Sequence, residues 1–577
     1  MRIAKLTICG FRNFASQEIT FGDKTLLFGA NDSGKSNLLY ALRILFDPSF
    51  NSRHFELNES DFNVETNASS VEITAELTDV HEPCLLSAFR GDLKDGKVVI
   101  SFEAEKGGDY WFLTGPTKGD LERHDSRSYI KHLCLEYVGS SRNVADYLKR
   151  TQSAIIEAAK NSRSDSQANE DEKSIKHIQE ALEKLNGEIG DLHFISDSMK
   201  VINAEMTSIT AENEEYEAKL VAGNTDAGKL LDNLKLAYLQ EGNPLTFGGD
   251  GRANQLFFAT WLAQQRIQSA VEKIRIFAIE EPEAHLHPHQ QRRLAEYLSN
   301  SIDEQVIISS HSPQIVERFV ASSVVRLAKS ANGTIAISST ESLGQAIETL
   351  GYRMNAILAE VFFANAVLLV EGSSEKILYQ AIARSIGVDL DRMNCSILSV
   401  EGVGFVPYVL CCEKMRIPWI VRTDNDVFKK PKKDEYHLAG LKRAVSIARE
   451  IRDDDILDEW DKQKDKTHWQ TDQGVPQEAL TALSVMKPLL EQHGIFLAEH
   501  DLEHDLISSP IQTLLANHYG QQNQSDLYAR MTERKAENMH TFISQNPDLS
   551  SLKESEISKP LNLLVKMASS KVAANDN

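Results

Sequence analysis

The sequence predicts an α/β protein with two sheet-containing parts, the first of which is interrupted by a helical insert. Three observations support this fold class: a glycine-rich loop between an apolar strand and a helix, a polar helical stretch over 151–235, and a second strand–helix alternation after 350. A chain of 577 residues exceeds the roughly 250 to 300 residues that one core supports. We therefore predict a first domain over 1–150 and 236–350, an insert over 151–235, and a second domain with a helical tail over 351–577.

The composition restricts the possible functions. With a net charge of −22, the protein does not attract nucleic acid by its overall charge, since phosphates are neutralised by Lys and Arg. The basic run Lys429–Lys433 is a local exception, although such a run is most often a solvated loop. No stretch approaches the roughly 20 apolar residues of a membrane helix, and the N-terminus has the pattern of a strand. We therefore expect a cytoplasmic protein with no membrane partner.

The insert carries an apolar stripe at spacings of three and four residues. Its members are Ile175, Ile178, Leu182, Leu185, Ile189 and Leu192. Such a stripe is typical of a helical seam, and it fits a dimer interface as well as an intramolecular hairpin. Gly187 and Gly190 argue against one uninterrupted helix, because glycine destabilises helix interiors.

A phosphate-binding loop lies near the N-terminus. Gly29–Ser36 fits the pattern G-x-x-x-x-G-K-[ST] and stands between a strand at Thr25–Phe28 and a helix at Lys35–Phe46. In such loops backbone N–H groups surround the phosphates, the lysine reaches the β and γ oxygens, and the serine hydroxyl binds Mg²⁺. The loop predicts an ATP site, which we assign to Asn31, Gly34, Lys35, Ser36, Asn37, Glu280 and His311.

Two further segments complete the predicted ATP site. The apolar strand Ile274–Ile279 is followed by Glu280, Glu281 and Glu283, which places carboxylates where Mg²⁺ and the attacking water would lie. We assign Glu281 as the general base. His311 follows the strand Gln305–Ser309, the position of a γ-phosphate sensor. The segment 245–251 is similar to the signature loop of ABC ATPases, although alone it fits a simple turn equally well.

Three acidic clusters follow apolar segments in the second domain. Glu371 follows a strand at Ala366–Val370, with Glu375 in the next helix, and two pairs appear later: Asp424 with Asp426, and Asp501 with Glu503. Because residues two apart in an extended chain point the same way, we expect each pair to present both carboxylates together. Any one cluster has the pattern of a helix cap or solvated turn.

Taken together, the three clusters require a counter-ion. Mg²⁺ or Mn²⁺ prefers such oxygen ligands, and two such ions can stabilise the attacking and leaving oxygens of a phosphodiester. The predicted metal ligands are Glu371, Glu375, Asp424, Asp426, Asp501 and Glu503, with Ser36 at the ATP site.

These motifs resemble those of a known family. The segment Gly10–Phe14, the phosphate loop, Glu280–Glu283 and Ser310–Pro313 are similar to the ABC-type ATPase heads of the overcoming-lysogenization-defect (OLD) family. The acids from Glu371 to Glu503 are similar, in order, to those of a TOPRIM domain. One departure concerns hydrolysis: ABC heads usually place Asp before the catalytic Glu, whereas this chain has Glu280.

The resemblance, in particular to the Gabija group of anti-phage nucleases, carries several implications. It implies a DNA endonuclease with Glu371, Asp424, Asp501 and a lysine at its catalytic site, ATP and Mg²⁺ or Mn²⁺ as cofactors, a homo-oligomer (dimer or tetramer), and a helicase-like partner, GajB. The best match to the lysine is Lys535, with Arg534 and Lys566 as alternatives.

Two other functions remain open at this stage. One is an ATP-driven DNA clamp or recombination mediator of the RecF or SMC type, against which the complete carboxylate set argues. The other is a TOPRIM enzyme that acts on RNA, which only substrate competition would distinguish, since both polymers offer the same phosphate.

Overall fold

The structure is a computed structural model of the chain. It describes residues 1–140, 147, 156–157, 159–161, 163–209, 218, 227–232, 238–240, 243–245, 249–267, 273–319, 323–330, 333–339, 356–402, 404–429, 435–470 and 474–573. Two compact units are present, one formed by Met1–Gly139, Glu272–Glu283 and Pro288–Asn577, the other by Ser140–Val271 and Ala284–His287. The division into four parts made from the sequence stays a prediction. Among the described helices, none is long and apolar enough to cross a membrane.

The first 140 residues form the six strands of one sheet and two strands of a second. Their strands are β1 (Arg2–Phe11), β2 (Phe14–Thr20), β3 (Lys24–Gly29), β4 (Ser70–Thr78), β5 (Val98–Glu105), β6 (Tyr110–Gly115), β7 (Glu122–His124) and β8 (Leu133–Val138). Their helices are α1 (Lys35–Phe46), α2 (Ser52–Phe55) and α3 (Pro83–Ala88). Six of the strands pair as an antiparallel sheet in the order β2-β1-β4-β5-β6-β7. The predicted strand–loop–helix unit is confirmed, since β3 leads through the glycine loop into α1.

The second unit is mainly helical in its described residues. It contains α4 (Asp165–Gly190), α5 (His193–Ile209), α6 (Ala227–Asp232), α7 (Asp250–Ile267) and a hairpin of β9 (Tyr238–Gln240) with β10 (Asn243–Leu245). The apolar stripe lies on α4 except for Leu192, which follows the helix; Ile178 and Leu182 are half-buried and Leu185 is half-exposed. The helix passes through Gly187 and ends at Gly190. The sequence suggested that Gly187 would interrupt the helix, and it does not. The end of the helix at Gly190 agrees with the expectation.

A second, mainly parallel sheet completes the N-terminal part of the first unit. Its later elements are β11 (Ile274–Glu280), α8 (Pro288–Asn300), β12 (Gln305–Ser309), α9 (Pro313–Arg318), β13 (Ser323–Ser330) and β14 (Gly333–Ser339). The order is β14-β13-β3-β12-β11-β8, with only the edge pair β13–β14 antiparallel among the described strands. The carboxyl ends of β3, β11 and β12 therefore lie at one edge of the sheet.

The C-terminal part of the first unit contains a four-stranded parallel sheet. Its elements up to the last strand are α10 (Ala356–Phe363), β15 (Ala366–Val370), α11 (Ser373–Ser385), β16 (Cys395–Ser399), α12 (Val406–Lys414), β17 (Trp419–Thr423), β18 (Val427–Lys429), β19 (Tyr436–Leu438), α13 (Ala439–Ile451), α14 (Asp454–Gln463), β20 (His468–Trp469), α15 (Gln477–Gln492) and β21 (Ile495–Leu497). The parallel order is β16-β15-β17-β21, while β18, β19 and β20 form a small antiparallel sheet. Strands β15 and β17 are buried throughout, as expected for a parallel sheet covered on both faces.

Helices form the remainder of the chain. They are α16 (Leu502–Ile507), α17 (Gln512–Tyr519), α18 (Gln524–Thr532), α19 (Lys535–Ile543) and α20 (Lys559–Ala573). Helix α20 packs on β15, β16 and β17, and α19 packs on α11. The predicted helical tail is thus part of the core of this domain, and it brings the start of α19 to the parallel sheet.

Helix α1 is enclosed between the two N-terminal sheets. It contacts β3 and β8 of the parallel sheet as well as β4 and β5 of the antiparallel sheet. Its apolar residues are therefore buried on several sides of the helix; Leu38, Leu42 and Leu45 are examples. The phosphate loop is anchored by a helix that belongs to the centre of the hydrophobic core.

A buried glutamine joins the two N-terminal sheets. The Oε1 of Gln305, in β12, accepts from the backbone N–H of Ile3 at 2.9 Å, and its Nε2 donates to the carbonyls of Ile3 at 2.9 Å and Gly22 at 3.0 Å. The Gly22 carbonyl also accepts from the Thr25 hydroxyl at 3.2 Å, whereas Gln305 is the side-chain partner of both Ile3 groups. The glutamine therefore fixes the position of β1 relative to β12.

We expect Gln305→Leu to destabilise the protein. The substitution removes the side-chain partner of the Ile3 N–H and carbonyl and one of the two partners of the Gly22 carbonyl, and each buried group left unsatisfied costs about 1–3 kcal/mol. The melting temperature in differential scanning calorimetry should fall by about 4 °C or more. The exposed Gln522 provides the control, because Gln522→Leu makes the same chemical change at the surface. Equal melting temperatures for the two variants would contradict this role of Gln305.

Candidate nucleotide and metal sites

The phosphate loop has a backbone that only glycine permits at two positions. A Cβ on Gly29 would lie 2.3 Å from the carbonyl oxygen of Leu327, and Gly34 has a φ of 99°. Lys35 is buried at the start of α1, and its Nζ donates to the carbonyls of Gly29 and Ala30, both at 2.9 Å. Burial lowers the pKa of Lys35 to about 8, against the opposing charges of nearby acids, Glu281 first among them. Lys35 therefore lies folded onto its own loop, beside the acidic strand end.

The amide of Asn37 belongs to a network that supports the loop. Its Nδ2 donates to Oδ1 of Asn13 at 2.6 Å, and its Oδ1 accepts from Arg12 at 2.8 Å. Asn13 in turn donates to the carbonyl of Ser33 at 3.3 Å. The side chain predicted to bind the nucleotide is thus held by protein partners, whereas Asn31 and Ser36 are exposed in the loop.

The acidic turn after β11 faces the turn after β12. Glu280 is buried and accepts from the Tyr137 hydroxyl at 2.9 Å. Glu281 has a φ of 43°, and its carboxylate lies 3.8 Å from Nε2 of His311. The positive φ directs Glu281 out of the strand toward the histidine. Burial lowers the pKa of His311, as does the charge of Lys35.

Glu283 fastens these two turns together. Its Oε1 accepts from the Ser310 hydroxyl at 2.8 Å and from the backbone N–H of His311 at 2.7 Å. Burial raises the pKa of Glu283. Glu283 belongs to the acidic motif, but its position in the sequence predicts no role for it; in the structure it positions His311.

The signature-like segment is described only in part. Gly249, Asp250 and Gly251 stand at the start of α7 in the second unit, whereas 246–248 lie outside the described residues. The basic run is similar: Lys429 ends β18 with its Nζ 5.3 Å from the centre of the Tyr436 ring, and 430–434 lie outside the described residues. Both assignments therefore stay predictions.

The second group of carboxylates converges at one edge of the parallel sheet. Glu371, Asp424 and Asp501 follow β15, β17 and β21, which are neighbours in the sheet. One oxygen of Glu371, Oε1, accepts from the Thr423 hydroxyl at 2.5 Å and from the Asp424 N–H at 2.8 Å, and it pairs with Arg443 at 2.7 Å. The clusters that the sequence placed at separate strand ends are in direct contact.

Lys535 lies in the middle of these acids. Its Nζ is 2.7 Å from Glu503, 3.2 Å from Asp501 and 4.0 Å from Asp424. Although burial opposes it, the hydrogen bond and charge of Glu503, followed by the charges of the two aspartates, raise the pKa of Lys535. Lys535 is therefore a cation at the centre of the acids, whereas its neighbour Arg534 is exposed and pairs with Glu537 at 3.1 Å.

The geometry expected for the second acid pair is wrong. Asp501 is the N-cap of α16, accepting from the His504 N–H at 2.9 Å, so Glu503 lies in the first helical turn and not in a strand. Asp424 and Asp426 follow the end of β17 at Thr423, as expected. Asp501 and Glu503 still meet at Lys535 because a cap residue and the first turn of its helix lie side by side.

Asp426 and Glu375 lie on the borders of this acidic site. Asp426 is half-exposed and pairs with Nδ1 of His500 at 3.3 Å. Glu375, in the first turn of α11, is buried, and this burial together with the charge of Asp424 raises its pKa to about 7. At neutral pH, without a bound cation, Glu375 is therefore protonated in a fraction of the molecules.

Two arginines of the site were missed by sequence reasoning. Arg422 is buried in β17 and contacts Asp424 at 3.2 Å and Asp505 at 2.7 Å, and Arg443 comes from α13. A signal existed for Arg422, because a charged residue inside an otherwise apolar strand requires a buried partner. No comparable signal existed for Arg443, which occupies a helical position like any solvated arginine.

The donor set fits a divalent cation. Asp426, His500 and Asp501 each offer one ligand atom, and these atoms lie within 4.8 Å of one another. The surrounding acids, Glu371, Asp424 and Glu503, add carboxylate oxygens, which are the ligands of Mg²⁺ and Mn²⁺. The acids outnumber the nearby cations Arg422, Arg443 and Lys535, so the site has a surplus of negative charge.

Comparisons with known proteins agree with this architecture. Residues 24–317 match the family model described as an AAA domain, putative AbiEii toxin, Type IV TA system, and residues 362–426 match the TOPRIM domain of overcoming-lysogenization-defect-like proteins. The first model covers just over half of the chain. The second includes the acids from Glu371 to Asp426.

Related proteins cover most of the chain. Endonuclease GajA of Bacillus cereus is 27% identical over 88% of this chain and 90% of its own length. OLD nuclease of Thermus scotoductus is 25% identical over 74% of this chain and 82% of its own.

A similarity to solved structures is weaker. A Smc head domain of Pyrococcus furiosus, bound to the C-terminal domain of ScpA, aligns with a TM-score of 0.35 at 15% identity, covering 60% of this chain and 98% of that one.

The sequence matches and the two sites together establish the family. The chain belongs to the AAA-domain family and, with its TOPRIM domain, is an OLD-type ATPase–TOPRIM protein similar to GajA.

Proposed function

We propose that this protein is a divalent-metal-dependent DNA endonuclease whose cutting site responds to ATP bound at the head. The observation that carries the proposal is the convergence of Asp424, Asp501 and Glu503 around Lys535 at one sheet edge, where Glu371 accepts from the Asp424 N–H. The names of the relatives, an endonuclease and an OLD nuclease, support the same activity.

The residues of the acidic site divide into binding and stabilising groups. Glu371, Asp424, Asp426, Asp501 and Glu503 would hold Mg²⁺ or Mn²⁺, with Glu375 behind them. A cation held there supplies charge neutralisation at the phosphodiester oxygens and activation of water. Lys535 donates to a phosphate oxygen as negative charge develops on it, while Tyr528, which donates to Asp501 at 2.9 Å, orients that aspartate.

The ATP site has its own division of labour. With ATP bound, Lys35 would leave its two carbonyl partners and reach the β and γ oxygens, and Ser36 would hold Mg²⁺. Glu281 would orient the attacking water, and His311 would contact the γ-phosphate. Glu280 in place of the usual aspartate fits a head in which slow hydrolysis lets ATP act as a regulator.

The resemblance to the Gabija group supports a narrower proposal. In it the protein is the nuclease subunit of a cytoplasmic anti-phage system that acts on phage or plasmid DNA with the helicase-like partner GajB. It assembles as a homo-oligomer, a dimer or tetramer, through the head and the insert 151–235. The similarity to GajA along 88% of the chain is the support for this assignment.

The proposed function is tested first at Glu371. We expect Glu371→Ala to reduce nicking of supercoiled plasmid in Mg²⁺ by at least about 100-fold, since loss of an outer-shell group alone costs about 10- to 100-fold at metal sites. The exposed Glu478 provides the matched control, Glu478→Ala. Nicking by Glu371→Ala at the parental rate would refute the assignment, and competition by RNA rather than DNA would move the substrate class to RNA.

Lys535 is expected to act on the reaction and not on metal binding. Lys535→Ala should lower kcat about 100- to 1,000-fold, as does the loss of one transition-state donor. Its affinity for Mn²⁺ should not fall, because the substitution removes a positive charge from among the acids. Lys553→Ala, at an exposed position, is the control. A parallel loss of Mn²⁺ affinity would instead show that Lys535 builds the acidic site.

Aromatic contacts join the ATP site to the cutting site. Phe28, in the strand that enters the phosphate loop, lies 4.8 Å from Phe362 between ring centres. His311 is stacked on Phe363 at 6.3 Å. Both phenylalanines end α10, and β15 begins three residues later and delivers Glu371. If the γ-phosphate displaced His311, the contact with Phe363 would therefore transmit the displacement to α10.

A buried arginine strengthens the same junction. Arg326, in β13 of the head sheet, donates to the carbonyls of Met415 at 2.8 Å, Arg416 at 3.1 Å and Ala364 at 3.4 Å. Burial lowers its pKa to about 10, so it remains charged at neutral pH. The head sheet and the start of β15 are thus held together by a cation whose three partners all lie in the TOPRIM domain or its entry.

We expect Phe363→Leu to weaken the response to ATP without abolishing nicking. Leucine keeps the apolar contact but loses the stacking on His311. The effect of ATP is measured as the ratio of the nicking rates with and without ATP. In the variant this ratio should lie about fivefold closer to one, which is the lower end of allosteric couplings. Lys35→Ala defines the rate with no ATP response. The control is Phe89→Leu, since Phe89 likewise stacks on an aromatic ring, that of Tyr129, elsewhere in the head. An unchanged ratio in Phe363→Leu would exclude this route.

A further inference from the structure

One oxygen of Glu371 is fully occupied by protein donors. Oε1 receives the Thr423 hydroxyl, the Asp424 N–H and the guanidinium of Arg443, at 2.5, 2.8 and 2.7 Å. In the described part of the chain no donor contacts the other oxygen, Oε2. The carboxylate is therefore held in one orientation, with a single oxygen available for a ligand.

Arg443 also holds the other side of the same site. Its Nε donates to the Thr423 hydroxyl at 2.8 Å, and its Nη2 donates to the carbonyl of Asp424 at 2.7 Å. One guanidinium thus binds the ends of β15 and β17 together, contacting Glu371 and the backbone of Asp424 at once. Lysine has no equivalent of this planar fork.

Helix α13 is fixed against the acidic loop by its first turn. The Leu441 N–H donates to Oδ1 of Asn425 at 3.1 Å, and the Ala439 N–H donates to the carbonyl of Asp426 at 2.8 Å. A Cβ on Gly440 would lie 2.3 Å from the carbonyl oxygen of Asp424, so only glycine permits this approach. The close approach of the backbones places Arg443, one turn later, over Glu371.

We infer that Arg443 is a positioning residue for the proposed metal site. It fixes Oε1 of Glu371 so that Oε2 and the Asp424 carboxylate face one divalent cation. This inference rests on the proposed function, because the cation belongs to the cutting reaction. A positive charge beside a cation site also repels the cation, so the sign of the effect on metal affinity decides between orientation and repulsion.

Metal binding is the first readout. In the absence of nucleotide, Mn²⁺ alone is titrated into the full-length protein, and unbound Mn²⁺ is measured by electron paramagnetic resonance. We expect Arg443→Gln to bind the Mn²⁺ that depends on Glu371 about 10- to 100-fold more weakly, as for outer-shell partners of metal ligands. Arg443→Lys should be intermediate, because an ammonium replaces the charge but not the fork. Arg449→Gln, at an exposed position of the same helix, should match the parent.

A double-mutant cycle separates positioning from a general structural role. In the Glu371→Gln background, removing Arg443 should not weaken Mn²⁺ binding further, since the carboxylate it orients is gone. An equal additional loss in that background would overturn the inference. So would parental or tighter Mn²⁺ binding by Arg443→Gln, and where that variant does not fold, parental binding by Arg443→Lys decides in the same way.

The same experiment distinguishes failure of the metal site from failure of its positioning residue. If Glu371→Gln binds Mn²⁺ like the parent, the proposed metal site itself is wrong. If Glu371→Gln loses Mn²⁺ while Arg443→Gln retains it, only the role of Arg443 is wrong.

Discussion

The mutual repulsion of carboxylates at the end of a parallel sheet is the constraint on which the TOPRIM domain depends. Adjacent parallel strands bring Glu371, Asp424 and Asp501 to one edge, and the low-dielectric surroundings strengthen their repulsion. Three cations offset this repulsion by pairing with the acids: Arg422 from within the sheet, Arg443 from α13 and Lys535 from α19. The helices after β17 and β21 are therefore part of the electrostatic design, and the C-terminal tail supplies one of its charges.

The sequence was a good guide to features that depend on local pattern and strand direction. The glycine loop, its strand and helix, and the acids after apolar runs could be placed because parallel strands share an edge. Lys535 could be identified only through the family resemblance, since nothing in its own helix marks it. Arg443, Tyr528 and Glu283 could not be predicted, because their roles depend on contacts between distant segments.

The failed expectation for Asp501 and Glu503 has a physical explanation. A spacing of two residues was read with strand geometry, but Asp501 caps a helix whose first turn contains Glu503. Asp501 caps the helix and is also a candidate metal ligand. The two interpretations of this acidic cluster, a helix cap and a metal site, therefore hold together and do not exclude each other. The short run Ile495–Leu497 gives no indication of where extended structure ends.

The contacts of Arg326 and Phe28 bear on how such a protein can evolve. A domain that is added to another by fusion usually meets it through a polar, exchangeable surface. Here a guanidinium from the head is buried against carbonyls of the TOPRIM domain, and an aromatic residue of the phosphate-loop strand packs on the entry helix of that domain. A half taken from a distant relative would have to reproduce the backbone course that brings the carbonyls of Met415, Arg416 and Ala364 to Arg326. The two halves are therefore expected to diverge together, as a single inherited unit.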